Sequence, residues 1–162
     1  MGGTVKGKLL ITNYQLLIKT FCAALLIALM AGCGLLFYHE PEKARETANE
    51  FLSFLYTEKT VDRAYEMTGK FYRDNFGIKE LEKTASFFLK KFGKFEGTRA
   101  KQYFHEGGSK EIIVFYTAVS EGGMTYQKVH LTHEGSRGYR VSGLYISDTP
   151  FIGYRLIKDY KD

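Results

Sequence analysis

Beyond residue 33 the chain has no cysteine. Cys22 and Cys33 both fall in one apolar stretch near the N-terminus, so the rest of the sequence can form no disulfide, zinc–thiolate site or cysteine nucleophile. Acidic residues are missing before Glu40, whereas Lys6, Lys8 and Lys19 precede that point. Of the 23 Lys and Arg residues these three lie ahead of the body, which leaves 20 basic against 18 acidic residues there, a net charge of +2. A body so nearly balanced lacks the basic stripe with which domains bind nucleic acid. No Gly-x-Ser-x-Gly elbow occurs, so serine nucleophile chemistry has no motif to rest on. Gly107-Gly108 and Gly122-Gly123 lack the strand-to-helix setting and the Gly-Lys-Ser/Thr ending of a phosphate loop. No internal repeat and no low-complexity linker divides the chain.

What is present at the N-terminus is a short apolar core behind lysines, ending at Met30-Ala31-Gly32-Cys33, where small residues suit a signal peptidase. The segment resembles a bacterial lipoprotein signal, and the resemblance implies cleavage before Cys33 and lipidation of its sulfur. A second reading stays open, because Phe21 to Tyr38 is uncharged for 18 residues, about the minimum that crosses a bilayer core. An uncleaved anchor of this kind would keep its lysine-flanked end in the cytoplasm. Residues 1–38 are therefore expected to be a lipoprotein signal or a single membrane anchor. Either way the body is held at a membrane of the bacterial cell envelope and faces the periplasm or the exterior.

The body, residues 39–147, has the length of one domain, followed by a tail at 148–162. Its first helix has Pro41 in the opening turn, Glu40 and Glu42 at the positive dipole end, and an apolar stripe of Ala44, Ala48, Phe51, Leu52 and Leu55. After a break at Thr57–Thr60, with Thr60 as the expected N-cap, Val61, Ala64, Tyr65 and Met67 mark a short second helix closed by Gly69. Lys70 to Phe76 is aromatic and fits neither period. Ile78, Leu81, Ala85, Phe88, Leu89 and Phe92 then trace a third helix that stops at Gly93.

Past Gly93 the apolar period falls to two. Phe95–Phe104, Glu111–Val119, Met124–Thr132 and Tyr139–Ile146 read as four strands joined by short glycine turns, hence an antiparallel meander. Helices first and strands after predict an α+β fold, with three helices packed on a curved four-stranded sheet. In the tail, Phe151, Ile152, Tyr154, Leu156 and Ile157 would add an edge strand, cover the sheet, or stay as an amphipathic extension.

Helices-then-meander order, with Ala64-Tyr65-Glu66-Met67, Lys79-Glu80-Leu81, Phe92-Gly93 and Tyr139-Arg140-Val141-Ser142-Gly143-Leu144, is similar to the NTF2-like (cystatin-like) superfamily, in particular its small envelope lipoproteins. The resemblance covers roughly Glu42 to Ser147 and implies a cone-shaped half-barrel, often with a pocket between sheet and helices. In isomerase and dehydratase relatives it implies a carboxylate or histidine base inside that cone, often beside a tyrosine. His130 is the weak candidate base here, with Tyr116, Tyr126 and Tyr145 as polar partners and Asp62 and Asp74 near a pocket mouth. Since Val129 and Leu131 alternate with it as the core-facing set, His130 is expected on the opposite face.

No cofactor is called for. His130 and His133 point to opposite faces of an extended strand, His39 and His105 lie at segment ends, and no calcium-loop pattern occurs, so no metal site is expected. Tyr65, Tyr72, Tyr116, Tyr126 and Tyr145 are the candidate ligand-binding residues, as tyrosine suits a surface both apolar and wet. Lys70, Arg73, Lys79, Lys83, Lys90, Lys91 and Lys94 form a basic band that is either solvated surface or a contact for anionic headgroups or wall polymers.

The expected function is a non-catalytic, membrane-tethered binding or scaffolding domain whose partner is an envelope protein or a small apolar ligand. One alternative is an assembly subunit of an envelope secretion or conjugation machine, behind an uncleaved anchor. The other is a small isomerase or hydrolase.

Overall fold

Apolar residues every three to four positions after Pro41 can be buried only if the backbone coils, and the chain answers with α1 over Pro41–Tyr56. The computed structural model of the chain describes residues 37–56, 60–153 and 157–160. The expected signal or anchor with Cys33, most of the expected break after α1, and Tyr154 and Leu156 of the tail lie outside the described residues. From Phe37 onward the chain forms one compact unit. Among the described residues no helix is long and apolar enough to cross a membrane.

After α1 come α2 (Val61–Glu66), α3 (Lys70–Asn75) and α4 (Ile78–Phe92), then β1 (Phe95–His105), β2 (Glu111–Ser120), β3 (Gly123–His133), a single 3-10 turn at Gly135–Arg137, β4 (Tyr139–Ser147) and β5 (Lys158–Asp159). The fold is α+β, with four helices and a five-stranded antiparallel sheet in the order β4-β3-β2-β1-β5. Two elements exceed the expected three helices and four strands. The aromatic stretch after Gly69 is helical because Gly69 is pinned at β4: its N–H donates to the Val141 carbonyl at 2.8 Å, and Val141 N–H donates to Met67 at 3.1 Å. Gly69 thus closes α2 only indirectly and serves as the extended residue before α3. The other addition is β5, which pairs Asp159 with Gln102 and Lys158 with Tyr103 along the free edge of β1.

Thr60 precedes α2, yet its hydroxyl does not cap it, donating instead to the Phe54 carbonyl at 2.7 Å. The stop of α4 does follow the expected mechanism. Gly93 turns the chain at φ 75°, the left-handed conformation that a side chain resists, and its N–H returns to Leu89. The β2–β3 turn then closes against this helix end, Gly122 donating to the Phe92 carbonyl at 2.7 Å. A Cβ at Gly122 would lie 2.7 Å from that same oxygen, so only glycine allows the approach.

Period two divides the sheet into two faces. Ile112, Val114, Tyr116, Val129, Leu131 and Val141 turn toward the helices and join Phe51, Leu52, Leu55, Leu81 and Phe88 in one core, all essentially sealed from solvent. Each large apolar side chain so buried contributes about 1.5–3 kcal/mol. Tyr56 stacks on Phe88 with 4.1 Å between centroids and donates its hydroxyl to Gln127 Oε1 at 2.8 Å, satisfying a polar pair at the centre of this layer. Burial holds the Tyr56 hydroxyl far above its ordinary pKa, hence as a neutral donor. The ladder is interrupted by register shifts in β1 and, between β3 and β4, at His130–Leu131.

Candidate functional site

Residues one step out of phase with the core form the other sheet face. Across it run the pairs Ile113–His130–Gly143, Phe115–Lys128–Tyr145 and Thr117–Tyr126–Ser147. No helix covers this layer among the described residues; the tail crosses it, with Phe151 6.3 Å from Phe115. A shallow depression of about 120 Å³ lies between Tyr126, Thr117, Phe115, Lys101 and the Pro150-Phe151 step. Lys128 places its ammonium 4.4 Å from the Tyr145 ring centroid and 5.1 Å from that of Phe151, a cation held between two π faces. Tyr145, beside Lys128, is 51% exposed, the Val119–Met124 pair near the β2–β3 turn is 44 and 56% exposed, and Ile152 of the tail is 90% exposed. Ile113, Phe115 and Thr117 on this face are buried, so its exposed apolar surface is made by Tyr145, Val119 and Met124.

A Cβ at Gly143 would stand 3.4 Å from the Tyr145 ring edge and 3.6 Å from the His130 Cβ, ordinary contact distances, so Tyr145, Gly143 and His130 pack directly on one another. The two ring centroids are 5.0 Å apart. Burial, with the Lys128 charge adding to it, pushes the His130 pKa down to about 4. Its Nε2 is shielded from solvent and meets no hydrogen-bond partner. His130 is thus a neutral imidazole packed in ring contact with Tyr145, and among the described residues it bonds no carboxylate.

The five candidate tyrosines do not form one site. Tyr126 and Tyr145 share the outer face with His130. Tyr116 lies on the helix side, 2% exposed, its hydroxyl donating to the Arg45 carbonyl at 3.2 Å, so it cannot partner His130. Tyr65 packs against the core and under the Arg73 guanidinium, and Tyr72 is buried against Phe76 in α3. Asp62 is exposed on α2, and Asp74 pairs with Lys70 on α3. In the basic band, Lys83 pairs with Glu80 and Lys91 lies over Phe87 and Phe92.

A second cluster was invisible to motif reasoning. His39, ahead of α1, lies tilted 4.8 Å from His105 at the end of β1, while His133 at the end of β3 lies 5.2 Å from Tyr139. His39 is 4% exposed and fully bonded: Nε2 donates to the Ser109 carbonyl at 2.9 Å, so Nδ1 accepts from the Tyr139 hydroxyl at 3.1 Å. The Glu40 N–H donates in turn to the Tyr139 oxygen at 2.9 Å. Burial first, then the neighbouring His105 and His133, lowers the His39 pKa, with the Ser109 bond opposing. Phe37 closes the cluster against His39 and His133. One signal pointed here: in a meander, β1 and β3 run the same way, so residues ending both must meet at one edge. His130 and His133 themselves stay apart, the first against Tyr145, the second against Phe37 and Tyr139. Among the described residues no group of histidine and carboxylate side chains could hold a metal ion.

No protein-family model, curated protein or solved structure matches the chain.

Proposed function

We propose that this is a membrane-tethered, extracytoplasmic domain of the NTF2-like kind that binds a protein or an apolar ligand on the outer face of its sheet and performs no chemistry there. The observation that carries the reading is the apolar surface this face leaves exposed beside the tail, Tyr145 next to Lys128 and the Val119–Met124 pair near the β2–β3 turn. Rigid aromatic rings with one cation among them offer contact area at low entropic cost. A proton-transfer site has a different design, with a base tuned near the working pH and aimed at a substrate. His130 is too weak a base at about 4 and packs its ring under Tyr145. Helices before a meander support the NTF2-like assignment, and the lysine-flanked apolar run ending at Cys33 supports the tether.

The test is photo-crosslinking of the full-length protein in its native membrane, with a photoreactive phenylalanine analogue at Tyr145 and, as control, at Glu82 on α4. A discrete adduct from Tyr145 alone supports the outer face as the binding surface, and its mass separates a protein partner from a small ligand. Equal labelling from both positions would remove the assignment. Intact mass of the membrane-extracted protein, wild type against Cys33→Ala, tests the tether: cleavage plus acyl chains marks a lipoprotein, and an unchanged full-length mass marks an anchor.

A further inference from the structure

On the opposite margin of the domain, α1 and the β3–β4 connection enclose an open groove of about 440 Å³. The volume suits a small ligand. One wall is a stripe of α1 that runs beside its buried face, with Glu40, Lys43, Thr47 and Glu50 spaced three and four residues apart and Glu46 next to them. The other wall is Arg137 and Arg140, and Met67 contributes an apolar surface between.

Internal pairing accounts for only part of this charge. Lys43 bonds Glu40 at 2.7 Å, and Arg137 bonds Glu134 at 2.8 Å. What remains is acid on one side and base on the other. Glu46 and Glu50, one turn apart on α1, pair with no base among the described residues, and two like charges so spaced repel each other. Arg140 reaches only the Glu66 carbonyl, through Nη1 at 3.3 Å, and its Nε is shielded from water with no acceptor at all. The shielded Nε is out of a ligand's reach, but Nη2 makes no hydrogen bond among the described residues, so the guanidinium keeps donors for an acceptor in the groove.

We infer that this groove binds a small zwitterion, its ammonium between Glu46 and Glu50 and its carboxylate or phosphate on Arg140, with the short apolar link against Met67. An ion of a single sign would be attracted by one wall and repelled by the other. A molecule carrying both signs a few bonds apart meets each wall with its complement, and the guanidinium provides the planar fork that oxyanions fit. Amino acids and short peptides have this chemistry, and so does the phosphoethanolamine headgroup of a lipid. The site is separate from the outer sheet face and does not depend on it.

The two described methionines give the experiment its readout, Met67 in the groove and Met124 on the outer face. Full-length protein in detergent micelles, labelled with 13C-methyl methionine, is titrated with dialanine, with glycerophosphoethanolamine, and with N-acetyl dialanine amide. A saturable shift of Met67 with either zwitterion, with Met124 still and the blocked peptide silent, is the expected result. Which zwitterion binds more tightly identifies the source. Glu50→Gln and Arg140→Gln should each weaken binding by about tenfold or more, the loss of one charge-assisted hydrogen bond. Glu50 is exposed, so its variant folds and keeps the test decisive if Arg140→Gln does not. No saturable Met67 shift with either zwitterion, an equal shift with the blocked dipeptide, or undiminished binding by Glu50→Gln would overturn the inference.

Discussion

The two faces of the sheet are built from alternate residues of the same strands and yet differ in almost every physical respect. Toward the helices the central polar pair is matched: Gln127 is fully buried and takes the Tyr56 hydroxyl at 2.8 Å. Toward the outside, His130 hides an unmatched Nε2, and the Lys128 ammonium rests on aromatic rings. The helix-facing layer is sealed, whereas the outer face keeps Tyr145, Val119 and Met124 exposed beside the tail.

The difference is sharpest for large apolar side chains. Phe51→Ala or Phe88→Ala on the helix side should cost about 3–5 kcal/mol of stability, read from urea unfolding, because each empties space that neighbouring helices cannot refill. The face distinction would fail if Tyr145→Ala on the outer side cost as much. Next comes Tyr56→Phe, which leaves Gln127 Oε1 buried without its donor and should cost about 1–3 kcal/mol. A cost near zero would mean that the inner layer is wetter than its packing indicates.

Acid should separate the two faces as well. His130, pushed down to about 4, and His39 and His105, also lowered, stay neutral in the fold, whereas unfolded histidine takes up its proton near 6.5. Between these values the unfolded chain binds more protons, so stability is complete above about pH 6.5 and declines as pH falls toward 4. Replacing His130 by Gln removes its share of that slope, measurable by unfolding at a series of pH values. Replacing His39 by Gln also opens the bonds to Ser109 and Tyr139, and so lowers stability at neutral pH too. The smallest expected effect is at Tyr145→Ala, which should cost about 0.5–1.5 kcal/mol through its lost contacts with Lys128 and His130 while abolishing the Tyr145-dependent crosslink.

Much of the architecture was legible in the residue pattern. The α1 and α4 stripes, the stop at Gly93 and the four long strands all follow from period and punctuation, and the alternation of Val129, His130 and Leu131 assigned His130 to the outer face. Lys70–Asn75 was illegible because its helical state is set by Gly69 bonding to Val141, some 70 residues downstream. Tyr116 was misplaced beside His130 because composition ignores parity: Tyr126 lies opposite Thr117, so Tyr116 falls on the other face.

Local order in the chain determined what each segment is, since helix and strand are decided by where neighbouring side chains point. Tertiary structure alone decided which segments face one another. It joined His39 to Ser109 and Tyr139, seated Tyr160 on the Pro41 carbonyl and the Arg45 guanidinium, and set the acids of α1 across from Arg140. Such contacts span tens of residues and arise from the packing of whole layers, which no short stretch of sequence encodes.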